Sequence, residues 1–494
     1  MRGSVCSYPS WIHLLVAAAL MRELVVRAQD WQTVDDFALA GGDAEARGVA
    51  VDAVGRIYVI GTANGHGIVR SSADGGTTWS TREDFVYPSE TNNAAGTNNL
   101  FNAITINPQG DLFVGGASAA FVGGVSAGHW IVRRSRDQGV SWETVDDFWQ
   151  PMNGPEPGTN AAVYSLSSDG QGRVYGAGLM HPTGPSYNYW WVRGSGIGST
   201  NWDSKLLLSS VYDQVSQITW AGEDVYVTGS VSGEESFSGL ILKSSDFGAT
   251  WTTNFAAPHE SYNAITSDSA GNVYSAGNRS VSNVVDWLVR KEAPGGTNWT
   301  ILDRATYEGD LGSGIDHPEP SSIAIDAAGN MCVTGRFLDF YFYGTNGAGY
   351  GGANWTWFTR QYSAATGQWN TTDLFCYSTN KYGVANGTAI LPDGGTFVVG
   401  YGTSDSGQRR WVVRKQAAPI NMPQLQIAIG GGGVAVSWPV GYTNSILEWT
   451  DSCRTNQLWQ TFTGTVRVVD GRATATCELT SGGRFFRLRS TANN

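Results

Sequence analysis

Apolar and polar residues alternate along most of the chain, in short runs broken by Gly, Asp and Asn. One pattern recurs: an apolar-x-apolar run, a polar turn with Gly, then Tyr or Phe-Val-x-Gly. Its copies lie at 49–61, 103–115, 163–178, 216–229, 264–277, 323–335 and 388–400. Period-two alternation on both sides of a tight turn predicts β-hairpins. Each hairpin is followed by a strand ending in a basic residue: Arg70, Arg133, Arg193, Lys243, Arg290, Arg360 or Arg414. A further set of strands opens on Trp31, Trp79, Trp142, Trp202, Trp251, Trp299 and Trp369.

Trp31 has no third strand before it, and the strand ending at Arg414 has no Trp strand after it. One four-stranded module is therefore split between the two ends of the repeat region. This predicts an all-β, seven-bladed β-propeller over residues 29–418, closed by the N-terminal strand. Closure removes exposed sheet edges. A residue present in every repeat serves the repeat, so the basic residues are read as structural. So are the Trp strand openers and the third-strand Trp130, Trp191, Trp287, Trp357 and Trp411.

Composition agrees. The chain has 494 residues, with 64 Gly, 20 Trp, 41% hydrophobic and 15% charged residues. Gly without a G-X-Y period excludes collagen, and this much of it disfavours helices. A net charge of −12 without a basic cluster excludes a nucleic acid partner. Residues 1–28 read as an export signal: Arg2, an apolar run at 11–21 too short to span a bilayer, then a small residue at Ala28 with Val26 two positions before it. The expected location is secreted or in the cell envelope, with no transmembrane segment. After residue 418 the period stops, and 419–494 reads as a small β-sandwich. Cys453 and Cys477 lie in that module, where an oxidising compartment would allow a bridge. Cys332 stands where sister repeats place Tyr or Phe, and reads as a small buried residue.

The turns SSADGGTTW (71–79), SRDQGVSW (135–142) and SSDFGATW (244–251) resemble the Asp-box, or BNR repeat, S-x-D-x-G-x-x-W. The residues that carry the resemblance are Asp74, Gly76, Trp79, Asp137, Gly139, Trp142, Asp246, Gly248 and Trp251. It implies a sialidase-like propeller class in which the box is a fold element remote from any active site. Hairpins such as SAGNVYSAG and AAGNMCVTG are similar to SBBP-type bacterial propeller repeats. VAVSWP (434–439), LEWT (447–450) and FFRL (485–488) resemble the immunoglobulin- or fibronectin-III-like terminal modules of secreted bacterial proteins, which implies export.

The variation between repeats falls in the connections between second and third strands (117–129, 179–189, 336–354) and between modules (86–99, 149–161, 305–320). In an antiparallel blade these share one face, and one-sided insertions mark a binding surface. Segments 305–320 and 336–354 belong together. They offer Glu308, His317, Tyr341, Tyr343 and Tyr350 as ligand-binding candidates, and Asp310, Asp316, Glu319 and Arg336 as catalytic ones. Glu156 and Glu260 are further carboxylates on that face. Two functions stay open. One is non-catalytic binding of a glycan, a cell-envelope polymer or a protein. The other is a sialidase-like exo-glycoside hydrolase, which would need converging Arg and a Tyr–Glu pair. The resemblance's F/Y-R-I-P strand is missing; EARGVAV (45–51), with Arg47, is its nearest equivalent. Arg336, Arg409 and Arg410 are off-period and read first as ion-pair partners. His66, His129, His181 and His259 lie on the same face without ligand spacing. No cofactor or metal is expected. Asp310, Asp316 and Glu319 are the set a structural Ca²⁺ would use, though without EF-type spacing.

Overall fold

The computed structural model describes residues 31–39, 41–88, 98–122, 125–149, 160–181, 187–198, 201–211, 214–232, 237–282, 284–296, 298–306, 317–340, 353–378, 382–417, 426–430, 433–439, 445–450, 459–469, 472–478 and 485–490. Every regular element among them is a β-strand. The chain divides into two compact units, Met1–Ala418 and Pro419–Asn494.

The first unit is a succession of four-stranded antiparallel meanders, the arrangement of a β-propeller. Sheet 1 runs Ala44–Val51, Ile57–Ala63, His66–Ser72 and Ser80–Phe85. Sheets 2 to 7 begin with Asn99–Ile106, Asn160–Ser168, Gln214–Ala221, Glu260–Ser267, Glu319–Ile325 and Gly383–Ile390. A single parallel pair, Asn160 with Gly128, joins sheets 2 and 3. The fourth strand of sheet 7 comes from the other end of the unit: Gln32–Phe37 pairs antiparallel with Arg409–Gln416. The first strands lie side by side in chain order, and Gly383–Ile390 lies beside Ala44–Val51.

Large-to-small packing joins neighbouring sheets. Trp130, Trp190, Trp287, Trp357 and Trp411 are fully buried on third strands. Four of their rings lie against the glycine that ends the Tyr/Phe-Val-x-Gly motif of the next sheet. A Cβ on Gly61, Gly178, Gly229 or Gly400 would come within 2.7, 2.6, 2.7 or 2.9 Å of Trp411, Trp130, Trp190 or Trp357. The glycine thus marks where a ring and a backbone meet. The structure corrects one expectation: Trp190 is the fully buried tryptophan of its strand, whereas Trp191 is half-buried, lies against Phe148 and donates to Ser204 Oγ.

The recurring basic residue is a clamp between sheets. Arg70, Arg133, Arg193, Arg360 and Arg414 reach Asp35, Glu83, Asp146, Asp303 and Asp373 of the preceding sheet at 2.7–2.8 Å. Each carboxylate stands four residues after its Trp, so the sequence unit is W-x₃-[DE]. Phe37, Phe85, Phe148 and Phe375, two residues further on, lie under the guanidinium of Arg70, Arg133, Arg193 and Arg414 at 4.2–4.4 Å. Burial pushes Asp35, Glu83, Asp146 and Asp373 above the usual carboxylate range, against the pull of their arginines. Where the fourth residue is Leu206, the next sheet carries Lys243, which turns to Asp224. Where it is Phe255, Arg290 pairs with Glu260 of its own sheet.

The third-to-fourth-strand turns are built alike. Asp74 accepts from the Thr78 hydroxyl at 2.6 Å and the Thr78 backbone N–H at 2.9 Å, while Ser72 Oγ accepts from the Gly76 N–H. Asp137 and Asp246 repeat this with Ser141 and Thr250. Gly76, Gly139 and Gly248 take φ of 94°, 86° and 81°, which only glycine adopts freely. Trp79, Trp142 and Trp251 donate to the carbonyls of those glycines and pack against the cores between sheets.

The hydroxyl and N–H donors of Thr78, Ser141 and Thr250 hold the three carboxyls down at about 2. A folded pKa below the unfolded one stabilises fully above about pH 4, and that contribution disappears as the pH falls toward 2. A variant carrying Asp74→Asn, Asp137→Asn and Asp246→Asn should therefore lose less stability than the wild type between those pH values. Denaturant midpoints measured across that range check this.

Cys332 is fully buried, accepts from Thr388 Oγ1 at 3.2 Å, and has its thiol pushed up to about 12 by burial. The exposed Cys376 should alkylate in the native protein and Cys332 only on unfolding, as peptide mass spectrometry would report.

The segment read as a loop at 117–129 is largely strand. Leu112–Val122 and Val125–Ser135 stay paired up to Val122 and Val125. The hairpin of sheet 6 likewise stays paired up to Phe340 and Ala353.

The second unit has a four-stranded sheet (Gln426–Gly430, Gly433–Pro439, Arg472–Glu478, Val466–Val469) and a three-stranded one (Gln460–Thr461, Ser445–Thr450, Phe485–Ser490). They share a core of Val436, Trp438, Leu447, Ala473 and Ala475. Cys477 is buried on the first of these sheets.

Candidate functional site

Every first strand of the larger unit carries a β-bulge at one equivalent point. The residue it sets apart is Arg47, Asn102, Tyr164, Ser216, Asn263, Ser321 or Asn386. A bulge places two residues opposite one, so it re-aims a side chain without ending the strand. All seven of these residues line one cavity of about 650 Å³, bounded by the first strands of all seven sheets. It opens on the face of the long connections, since Ser230, Asn278 and Arg336 from the second halves of second strands also line it. A second cavity of about 260 Å³ shares Arg47, Asn102, Tyr164, Gln217 and Asn386 with it and continues between the first strands.

The lining is mostly neutral and polar: Asn, Gln, Ser and Tyr. Burial raises the Tyr164 hydroxyl above its ordinary range, so it stays protonated and able to donate. Charge is confined to one side and paired. Arg336 meets Glu319 at 2.6 Å and lies over the Trp355 ring at 4.0 Å. Arg47 joins Glu45 at 2.8 Å and Asn102 Oδ1 at 3.0 Å. Arg409 also binds Glu45. Burial raises the Tyr401 hydroxyl, which feels Arg409, Glu45, Arg336 and Arg47 together.

Of the candidates read from sequence, Glu319 and Arg336 stand in this cavity as partners of each other. They face each other in the strand register, so the bases of connections 305–320 and 336–354 meet. His317 is half-buried just ahead of Glu319–Ile325 and is not among the residues lining the cavity. Glu308, Asp310, Asp316, Tyr341, Tyr343, Tyr350 and Glu156 lie outside the described residues. Glu260 is buried and held by Arg290 and Tyr262, a structural role rather than a free acid. Arg409 and Arg410 are ion-pair partners, of Glu45 and Asp36.

Two of the histidines are likewise committed to neighbours, whereas His259 is exposed. His66 begins one third strand and His129 lies within another, Val125–Ser135, and they bond Asp84 and Asp147 of the same sheet at 2.6 and 2.7 Å. His129 is buried between the rings of Tyr87 and Trp149. The Tyr87 hydroxyl donates to Asp147 at 2.7 Å from the preceding sheet. Burial opposes ionisation of Asp147, but the bonds from His129 and Tyr87 hold it below the usual range. Tyr377 and Arg410 repeat this arrangement on Asp36.

Sequence reasoning missed the bulge residues. Each stands at, beside or up to two residues ahead of the start of a hairpin motif used to count repeats, inside a strand rather than in a long connection. The available signal was that this one strand position does not repeat.

Chemically, amides and hydroxyls both donate and accept, which suits a ligand rich in hydroxyl groups. Glycoside hydrolysis needs two carboxyl groups flanking the bond. Among the described residues lining the cavity, Glu319 is the one carboxylate, and it is bound to Arg336.

No family model matches the chain, and no curated protein matches it. Solved structures similar to it include an α-L-arabinanase of Penicillium chrysogenum complexed with arabinobiose (TM-score 0.42, 14% identity, 64% of this chain and 93% of that one). They also include a GH74 xyloglucanase of Xanthomonas campestris (0.47, 13%, 83% and 59%) and YCF48 bound to D1 peptide (0.40, 13%, 78% and 96%). Likeness this low carries no argument about ligand or reaction.

Proposed function

We propose that the larger unit is a seven-bladed propeller closed by Gln32–Phe37, and that it binds a glycan without cleaving it. The ligand sits in the central cavity on the face of the long connections. The single observation that carries this reading is the set of seven bulges that turn Arg47, Asn102, Tyr164, Ser216, Asn263, Ser321 and Asn386 into one polar cavity. Binding rather than hydrolysis is supported by Glu319, which is the one carboxylate among the described lining residues and is paired, and by the pairing of Arg47, Arg336 and Arg409 with glutamates. The apolar run at 11–21 and the strand motifs of 419–494 support export of the protein, with the second unit as an immunoglobulin-like module. Tyr341, Tyr343 and Tyr350, which follow Phe340 in the sequence, are the aromatic candidates of this reading.

An oligosaccharide array and a fluorogenic glycoside panel, run on the same preparation, test this. The expected result is binding on the array with no turnover on the panel. Turnover that disappears in Glu319→Gln would replace the binding reading with the hydrolase one.

A further inference from the structure

The ring of bulge residues divides into a half that holds sheets together and a half that does not. Asn386 Nδ2 donates to the Ala46 carbonyl at 2.8 Å, tying sheet 7 to sheet 1. Arg47 Nη1 donates to Asn102 Oδ1, and Asn102 Nδ2 to the Val163 carbonyl at 2.8 Å, tying sheets 1, 2 and 3. In these three strands the residue after the bulge is Gly387, Gly48 or Ala103, which offers no polar side chain.

In sheets 3, 4 and 6 the tie moves one residue along. Ser165 Oγ accepts from the Ile218 N–H at 3.1 Å, Gln217 Oε1 from the Ile265 N–H at 2.9 Å, and Ser322 Oγ from the Thr388 N–H at 3.2 Å. The bulge residues there, Tyr164, Ser216 and Ser321, make no side-chain hydrogen bond among the described residues and face the cavity. One of two adjacent positions does the joining, and when the second does, the bulge side chain is released.

Sheet 5 departs from this rule. Its bulge residue, Asn263, has the side chain that joins sheets at Asn102 and Asn386, and the residue after it is Ala264. Yet the Asn263 amide makes no hydrogen bond among the described residues, and it lines the cavity. A carboxamide that forgoes an available structural role leaves both a donor and an acceptor facing the cavity.

We infer that Tyr164, Ser216, Asn263 and Ser321, on four consecutive sheets, are the residues that read the ligand, with the Asn263 amide as the central contact. Arg47, Asn102 and Asn386 position the cavity wall and do not set specificity. The inference rests on the glycan-binding reading above. It further specifies a ligand that presents neighbouring hydroxyl groups to one side of the cavity, because four neutral groups on one arc match hydroxyls rather than a charge.

The test pairs array binding with thermal melting for the wild type, Asn263→Ala, Asn263→Asp, Asn102→Ala and Asn386→Ala. Asn263→Ala should melt with the wild type and bind the same oligosaccharides about three- to tenfold more weakly. Asn263→Asp keeps the acceptor but loses the donor, and should also bind weakly. Asn102→Ala and Asn386→Ala should melt about 2 °C lower and keep the wild-type order of preference among sugars. Wild-type binding by Asn263→Ala, or a changed sugar preference in Asn102→Ala, would overturn the inference while glycan binding stands. A wild type that binds no oligosaccharide would overturn the glycan reading and the inference with it.

Discussion

Replacing Asp146 with Ala should lower stability by about 3–5 kcal/mol, because it strands the buried guanidinium of Arg193. Arg193 is 7% exposed, donates two bonds of 2.8 Å to Asp146, and lies over Phe148. With Asp146 gone, the Ser204 hydroxyl and the Trp202 carbonyl are its remaining acceptors, and neither carries a charge. The cost is that of an unpaired buried charge, not the net worth of the pair. Burial already raises the Asp146 carboxyl despite Arg193, so desolvation consumes much of the Coulomb gain. It follows that Asp146→Leu combined with Arg193→Met should recover most of the loss. The chain makes a similar exchange itself, where Leu206 and Leu208 replace the acid and the Phe and the next sheet carries Lys243. Urea midpoints of the wild type, the single variant and the pair measure this. A double variant as unstable as Asp146→Ala would show that the ion pair, rather than the stranded charge, sets the scale.

Gly400→Val should cost about 3 kcal/mol by overpacking. A Cβ there would collide with the backbone carbonyl of Val384 and lie 2.9 Å from the Trp357 ring. Neither neighbour has room to yield, since Trp357 is fully buried and the carbonyl belongs to the paired first strand of sheet 7. Trp357→Leu should reduce the added cost of the valine by removing the ring, leaving the carbonyl collision. Denaturant midpoints of the four-member cycle check this, and additive costs would mean that ring and glycine are not in contact.

The sequence was most legible where the same physical problem recurs. Alternation, turn glycines and a Trp per module follow from stacking one four-stranded sheet against the next, so the strands could be placed from pattern alone. The split module foretold the pairing of Gln32–Phe37 with Arg409–Gln416. The clamp was half legible: the basic residues were read as structural, but their partners lie in another sheet, and only the fold brings Arg70 to Asp35. Trp191 was preferred to Trp190 because adjacent tryptophans leave the facing side undecided. The cavity was not legible, because a bulge shifts one side chain out of the period-two register without altering the flanking pattern. Asn263 and Tyr164 look like ordinary strand residues until the bulges are seen to coincide.

The central cavity as the ligand site is tested most directly by filling it. Ser216→Trp places an indole in the cavity from one bulge position, and unchanged melting would confirm that the sheets are undisturbed. The account predicts that this variant loses all binding to the oligosaccharides that the wild type retains on the array. Wild-type binding by the filled protein would contradict it and move the ligand elsewhere on the molecule.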